Sequence, residues 1–234
     1  MPISNAKAKL IRRDELTENV TELEFEMINP KELNFRPGQY ITIKIDNQTR
    51  RQYSISSSPL KSKSKFTVTY DKRPNGIGVN FLNNLQIDDE IEFIGEIGLF
   101  TLPDNLSENI YFFATGVGIA PLKSMIETLV LSGEYKNHNI HLIWGTRYKD
   151  WIIYEDLFKN YLQKGYIKEY EIYLTKEKVD GYKNGRLTNY IKNNDFENDS
   201  QFFVCGSGKA ISGIVTALKK KGIYAEAVYY EKFF

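Results

Sequence analysis

The run Arg51-Gln52-Tyr53-Ser54 sets a fixed cation, an aromatic plane and a hydroxyl within four residues. On a strand, positions 51 and 53 face one way and 52 and 54 the other, so a twisted or ending strand can wrap these groups around a flat anionic cofactor. A flavin nucleotide has that shape and charge. The guanidinium suits a pyrophosphate, the phenol ring can lie against an isoalloxazine, and the hydroxyl can hydrogen-bond the ring nitrogen whose protonation changes on reduction. Alone, such a tetrapeptide more often marks an ordinary strand end, and the remainder of the chain decides its meaning.

Three later segments ask for the same kind of ligand. Asn75 to Leu82 reads as a glycine turn, with Gly76 and Gly78, opening a short helix whose first residues include Val79 and Asn80; the free amides of such a helix start attract phosphate. Tyr111 to Ala114 is a short apolar run followed at once by Thr115-Gly116-Val117-Gly118-Ile119-Ala120-Pro121, the pattern of a buried strand, a glycine turn and a helix. Gly116 and Gly118 let the backbone approach a phosphate or a ring, and Pro121 sits where a first helical turn tolerates a missing N–H. The usual dinucleotide fingerprint has a third glycine in place of Pro121 and an acid closing the next strand. Here that strand, Ile140 to Trp144, runs into Gly145-Thr146-Arg147, which disfavours a conventional Rossmann dehydrogenase. Finally, Phe202-Phe203-Val204 leads into Cys205-Gly206-Ser207-Gly208 and a helical pattern, and the sequence closes on Tyr229-Tyr230-Glu231-Lys232-Phe233-Phe234.

Taken in order, Pro37-Gly38-Gln39-Tyr40, Arg51-Gln52-Tyr53-Ser54, Gly116 to Pro121, Cys205-Gly206 after a strand, and Glu231-Lys232-Phe233 make this chain resemble the ferredoxin-NADP reductase superfamily along nearly its whole length. The resemblance implies a flavin-dependent NAD(P)H oxidoreductase that passes electrons between NADPH and a one-electron carrier such as ferredoxin or flavodoxin. It implies FAD ahead of FMN, and NADP(H) ahead of NAD(H). By the same resemblance, Arg51, Gln52, Tyr53, Ser54, Gly76, Gly78, Val79 and Asn80 hold the flavin, while Thr115, Gly116, Gly118, Pro121 and Gly206 hold the nicotinamide nucleotide. Family members usually carry Ser or Thr where Val79 stands, so backbone amides and Asn80 are left to hold the flavin phosphates. Cys205 would lie beside the nicotinamide carbon that gives up hydride and orient that ring. Glu231 would help settle the ring and relay a proton, and Phe233 would cover the flavin face, with Phe234 one residue beyond the usual final aromatic of the plant-type enzymes. Thr175-Lys176-Glu177, with Lys183 and Arg186, resembles the Ser-Arg-Glu segment that grips a 2′-phosphate. Two alternatives stay open: a free-flavin reductase, which Gly145-Thr146-Arg147 and Tyr154 to Leu157 also resemble, and a flavin-binding electron-transfer subunit without turnover of its own.

The elements that must position these groups fall into two rhythms. Short strands around Lys7 to Arg13, Val20 to Met27, Gln39 to Ile45, Gln52 to Ser56, Phe66 to Tyr70 and Glu90 to Ile94 predict an antiparallel β-barrel for the flavin. Beyond them, strands near Ile110, Ile140, Ile167 to Leu174, Phe202 and Ala225 to Tyr230 alternate with helical patterns near Pro121 to Ser132, Tyr154 to Leu162, Leu187 to Lys192 and Lys209 to Lys220, predicting an α/β doubly wound parallel sheet for NAD(P). Two domains are therefore expected, residues 1–104 and 105–234, with a seam near Pro103-Asp104-Asn105; a length of 234 residues suffices for two cores.

Composition narrows the classes further. A net charge of +1 gives no basic field for nucleic acid. One cysteine excludes a disulfide framework or an internal cysteine-ligated cluster, leaving any iron-sulfur centre to a partner. His138 and His141 read as surface or strand-edge residues and form no ligand set. With no signal-peptide pattern and no long apolar run, a cytoplasmic monomer without a membrane span is expected.

Overall fold

The computed structural model describes residues 3–233. The chain forms two compact units: residues up to Leu102 together with Lys123–Thr128, and Pro103–Leu122 together with the residues from Leu129 onward.

The first unit is built on six antiparallel strands: β1 (Ile3–Thr17), β2 (Val20–Asn29), β3 (Tyr40–Lys44), β4 (Arg50–Ser54), β5 (Lys65–Asp71) and β6 (Glu90–Ile97), with helix α1 (Ile77–Asn84) between β5 and β6. Their order is β4-β3-β6-β1-β2-β5. A bridge between Ile55 and Val68, just past the ends of β4, joins the two outer strands and closes the sheet into a barrel. Period-two alternation explains the geometry: Leu23, Phe25 and Met27 of β2 point inward, while Glu24 and Glu26 point out. Phe25 and Phe66 sit opposite one another in the ladder and stack at 5.5 Å, and Phe66 meets Phe93 edge-on at 5.5 Å. Truncating one such ring to Ala typically costs about 3–5 kcal/mol. The outer face carries ion pairs such as Lys9–Asp88 and Lys44–Glu92, and exposed pairs of this kind contribute about 1 kcal/mol at most. The aromatic interior therefore fixes the barrel that carries β4.

The second unit contains β7 (Asn109–Thr115), the two ends of α2 (Ile119–Ser132), whose middle, Lys123–Thr128, belongs to the first unit, β8 (Asn139–Thr146), α3 (Glu155–Gln163), β9 (Glu169–Leu174), β10 (Lys183–Asn184), α4 (Leu187–Asn193), β11 (Gln201–Ser207), α5 (Gly208–Lys220) and β12 (Val228–Phe233). All neighbours in the order β10-β9-β8-β7-β11-β12 run parallel. Strands β7, β8 and β11 are near-continuous apolar runs because helices cover both faces. From β7 the chain winds outward through β8 and β9, then crosses back to β11. The winding thus reverses between β7 and β11, and such reversals open a ligand crevice at the strands' carboxyl ends.

The sequence reading needs three adjustments. β12 runs to Phe233 because Ala225–Ala227 forms a 3-10 turn first, so the terminal Glu231-Lys232-Phe233 motif lies inside the ladder. The two-residue β10 was not expected. His141, read as a surface or strand-edge residue, is half-buried and engaged: its Nδ1 lies 2.7 Å from Glu169, and its ring stacks on Tyr111 at 4.3 Å. Burial pushes the Glu169 carboxyl up, yet hydrogen bonds from His141 and Tyr190 outweigh it and hold the group below the ordinary carboxylate range.

Candidate functional site

On β4, Arg51 and Tyr53 share the side that meets Gly78, as period two requires, while burial deepens along the strand. Arg51 and Gln52 are exposed, Tyr53 is half-buried and Ser54 is buried. Opposite them stands the start of α1. A Cβ placed on Gly78 would lie 2.5 Å from the Tyr53 hydroxyl and 2.7 Å from Arg51 Cγ, so only glycine lets the helix start approach so closely. The first-turn amides of α1, which has no acidic residue there, thereby come beside the Arg51 stem and form one electropositive wall. Arg51 enters no ion pair among the described residues; its Nη1 donates only to the neighbouring Arg50 carbonyl, at 2.8 Å. Burial, reinforced by Tyr70 and opposed by Arg51, pushes the Tyr53 phenol up to about 12, so the ring stays neutral at physiological pH. Gln52 donates to the Tyr40 hydroxyl at 3.1 Å. Val79 packs against the barrel core, which accounts for an apolar residue where a hydroxyl was sought. Gly76 caps α1 without a side-chain bond, and Asn80 is exposed in its first turn. A cation, a neutral ring and unspent amides, brought together by a close approach that a Cβ would block, suit a flavin nucleotide.

In the second unit the predicted residues meet at the point where the winding reverses. A Cβ on Gly118 would lie 2.6 Å from the Cys205 carbonyl carbon and 2.8 Å from Gly206 Cα. Gly206, at φ +148°, has the Thr115 side chain where its own Cβ would be, and the Ser207 amide donates to Thr115 Oγ1 at 3.3 Å. Trp144 Nε1 donates to the Gly116 carbonyl at 3.0 Å and pins the turn from below. Pro121 is buried in the first turn of α2. Cys205 is 1% exposed. Burial, then the Glu231 carboxylate, pushes its thiol up, so it remains a neutral thiol and not a nucleophile. Glu231 stands opposite Cys205 in the ladder and the half-buried Phe233 opposite Ser207; Phe234 lies outside the described residues.

At the carboxyl ends of β8 and β9, Thr175 Oγ1 donates to the Thr146 carbonyl at 3.3 Å and the Lys176 amide to the Arg147 carbonyl at 3.0 Å. Lys176 and Arg186 are exposed, without an ion pair among the described residues. Lys183 is committed elsewhere, 3.2 Å from Glu171. Sequence reasoning missed Trp144, whose indole holds the Gly116 carbonyl.

Comparison with known proteins agrees with this geometry. Residues 7–102 match the Oxidoreductase FAD-binding domain family, and residues 112–215 match the Oxidoreductase NAD-binding domain family. The chain belongs to the ferredoxin-NADP reductase superfamily. It is 29% identical over 153 residues to ferredoxin–NADP reductase B of Sorangium cellulosum, covering 64% of this chain and 62% of that protein. With the toluate 1,2-dioxygenase electron transfer component of Pseudomonas putida it shares 24% identity over 222 residues, 94% of this chain and 65% of the relative. The chain therefore spans a little under two thirds of these relatives' length. The crystal structure of a ferredoxin NADP+ reductase from Neisseria gonorrhoeae with bound FAD and NADP superposes with a TM-score of 0.85 at 17% identity, covering 97% of this chain and 98% of that one, which establishes a shared fold. In this superfamily member the barrel unit is thus an FAD-binding domain and the parallel-sheet unit an NAD-binding domain. Among the described residues no helix is long and apolar enough to cross a membrane, and no cluster of His, Cys, Asp and Glu is arranged to hold a metal.

Proposed function

We propose that this protein is an FAD-dependent NAD(P)H oxidoreductase, with residues 1–104 holding the flavin and 105–234 the nicotinamide nucleotide, delivering electrons to a separate one-electron carrier such as ferredoxin or flavodoxin. The observation that carries this reading is the approach of Gly78 to Arg51 and Tyr53, which builds a phosphate-binding wall beside an aromatic plane. FAD supplies the exchange between two-electron and one-electron chemistry that no side chain here can perform. The protein's contribution is alignment: Arg51 and the α1 amides hold phosphate, Tyr53 backs the ring, Ser54 offers a hydroxyl, and the Thr115–Gly118 turn with Cys205 and Gly206 receives the nicotinamide. The name of the Pseudomonas putida relative favours a second acceptor, an oxygenase component, reached through the same site.

Purified protein is expected to be yellow, to release FAD on denaturation, and to bleach when NADPH is added without oxygen. Colourless protein that oxidises NADPH only with added free flavin would replace this reading by the free-flavin reductase.

Two residue-level outcomes accompany this reading. Cys205→Ala should slow flavin reduction at unchanged flavin content, since a buried neutral thiol contributes shape and ring orientation; unchanged stopped-flow reduction would assign Cys205 to packing alone. Lys176→Ala should raise KM for NADPH about five- to thirtyfold and leave NADH nearly untouched, as expected of an exposed ionic contact of about 1–2 kcal/mol to a 2′-phosphate. Added salt should shrink the difference. With Lys183 held by Glu171, little compensation is expected from that side. Equal effects on both nucleotides would remove the 2′-phosphate assignment.

A further inference from the structure

Within the first unit lies a buried charged network that the chemistry above does not use. Lys123, 6% exposed, donates to the Ser56 carbonyl at 3.1 Å and lies 3.9 Å from both Glu22 and Glu127, themselves 8% and 1% exposed. Next along the same helix, Ser124 donates to the Ser57 carbonyl at 2.6 Å, and the Ser58 amide donates to Glu127 at 3.1 Å. From the barrel side, Ser56 Oγ meets Thr67 Oγ1 at 2.7 Å and Glu22 at 3.3 Å. Three consecutive residues, beginning two positions after Ser54, are thus held by hydrogen bonds from α2. Burying a lysine and two carboxylates is costly, and apolar replacements of such clusters are commonly neutral or stabilising. Stability therefore does not account for this arrangement, whereas fixed geometry does.

We propose that Lys123 is a positioning residue for the flavin site: with Glu22 and Glu127 it locks the Ser56–Ser58 backbone and so sets the place of the Ser54 hydroxyl. The proposal rests on the flavin reading of β4. Its test is a double-mutant cycle on the FAD-loaded protein with Lys123→Met and Ser54→Ala, followed by stopped-flow reduction with NADPH and by the visible flavin spectrum. Each single variant should slow reduction about tenfold with KM for NADPH unchanged, as loss of alignment does. Both should shift the flavin band in the same sense, and the double variant should be no slower than Ser54→Ala, because both remove one hydroxyl placement. Lys123→Arg, which keeps the cation, should recover most of the rate. Multiplying effects, or a Lys123→Met protein as fast as wild type, would overturn the proposal while leaving the flavin site standing. A Ser54→Ala protein with wild-type rate and spectrum would overturn the Ser54 role and this proposal together. Should Lys123→Met not fold, Ser124→Ala takes its place in the same cycle with the same deciding outcomes.

Discussion

Arg51→Ala is expected to emerge from purification largely without flavin. The aliphatic stem of Arg51 packs against Gly78 beside Tyr53, and its guanidinium enters no ion pair among the described residues. A charge-assisted contact of this type is worth about 1.5–3 kcal/mol, or roughly a 10- to 150-fold rise in Kd. Because Arg51 is exposed, solvent and salt screen part of that, and the lower half of the range is the better expectation at physiological ionic strength. The helix-start amides persist in the variant, so added FAD should restore colour at high concentration. Isothermal titration of the flavin-stripped variant against stripped wild type gives the number. Full yellow occupancy of the purified variant, with wild-type Kd, would remove Arg51 from the phosphate site. Arg51→Lys should fall between the two, since an ammonium keeps the charge but loses the planar fork.

Why the sequence revealed so much of this molecule follows from which signals are local. The period-two alternation of β2 and the apolar run of β7 are written in consecutive residues, and both became strands near where they were expected. The helices were equally plain: the pattern read from Lys209 to Lys220 is α5 from Gly208, and that from Pro121 to Ser132 is α2 from Ile119. Strand order is not local. That β7 lies between β8 and β11, bringing Gly118 against Cys205 and Gly206, depends on pairing between segments about ninety residues apart, and alternation alone says nothing of it.

The site shows the same division. Gly78 could be picked out as a turn glycine, but that its space is filled by Tyr53 and Arg51 required the fold. Val79 looked like a lost hydroxyl ligand; tertiary packing shows a side chain recruited to the core. Lys176 and Lys183 are indistinguishable as letters. Only the pairing of β10 with β9 separates them, by setting Lys183 where Glu171 can take its charge. Lys123 and Glu127 would be read in any helix as an i,i+4 surface pair, yet they are buried, which no one-dimensional pattern shows.

Gly118→Ala should produce the most severe loss of nucleotide-dependent activity. The added methyl has no free volume: it would overlap the Cys205 carbonyl and stand 2.8 Å from Gly206 Cα, and all of these are backbone atoms that cannot swing aside as a side-chain tip can. Either the turn after β7 or the Cys205-Gly206 segment must move by several tenths of an ångström or more, and both carry groups assigned to the nicotinamide. Overpacking of this sort costs about 1–3 kcal/mol, or roughly 2–12 °C in Tm for a chain of this size. A displacement approaching 1 Å at the reacting ring is worth up to about a hundredfold in rate. The residues proposed to hold flavin on β4 and α1 belong to the other unit, so FAD content should be unchanged while reduction by NADPH collapses. Stopped-flow reduction, flavin content and thermal unfolding on one preparation separate these effects. Gly133→Ala is the control: that glycine also lies in a turn of the second unit, with no atom within 4 Å of an added Cβ, though its φ of +85° makes the substitution modestly destabilising. If Gly118→Ala loses stability like the control but keeps its reduction rate, the Thr115–Gly118 turn is a structural connection and not the nucleotide's seat.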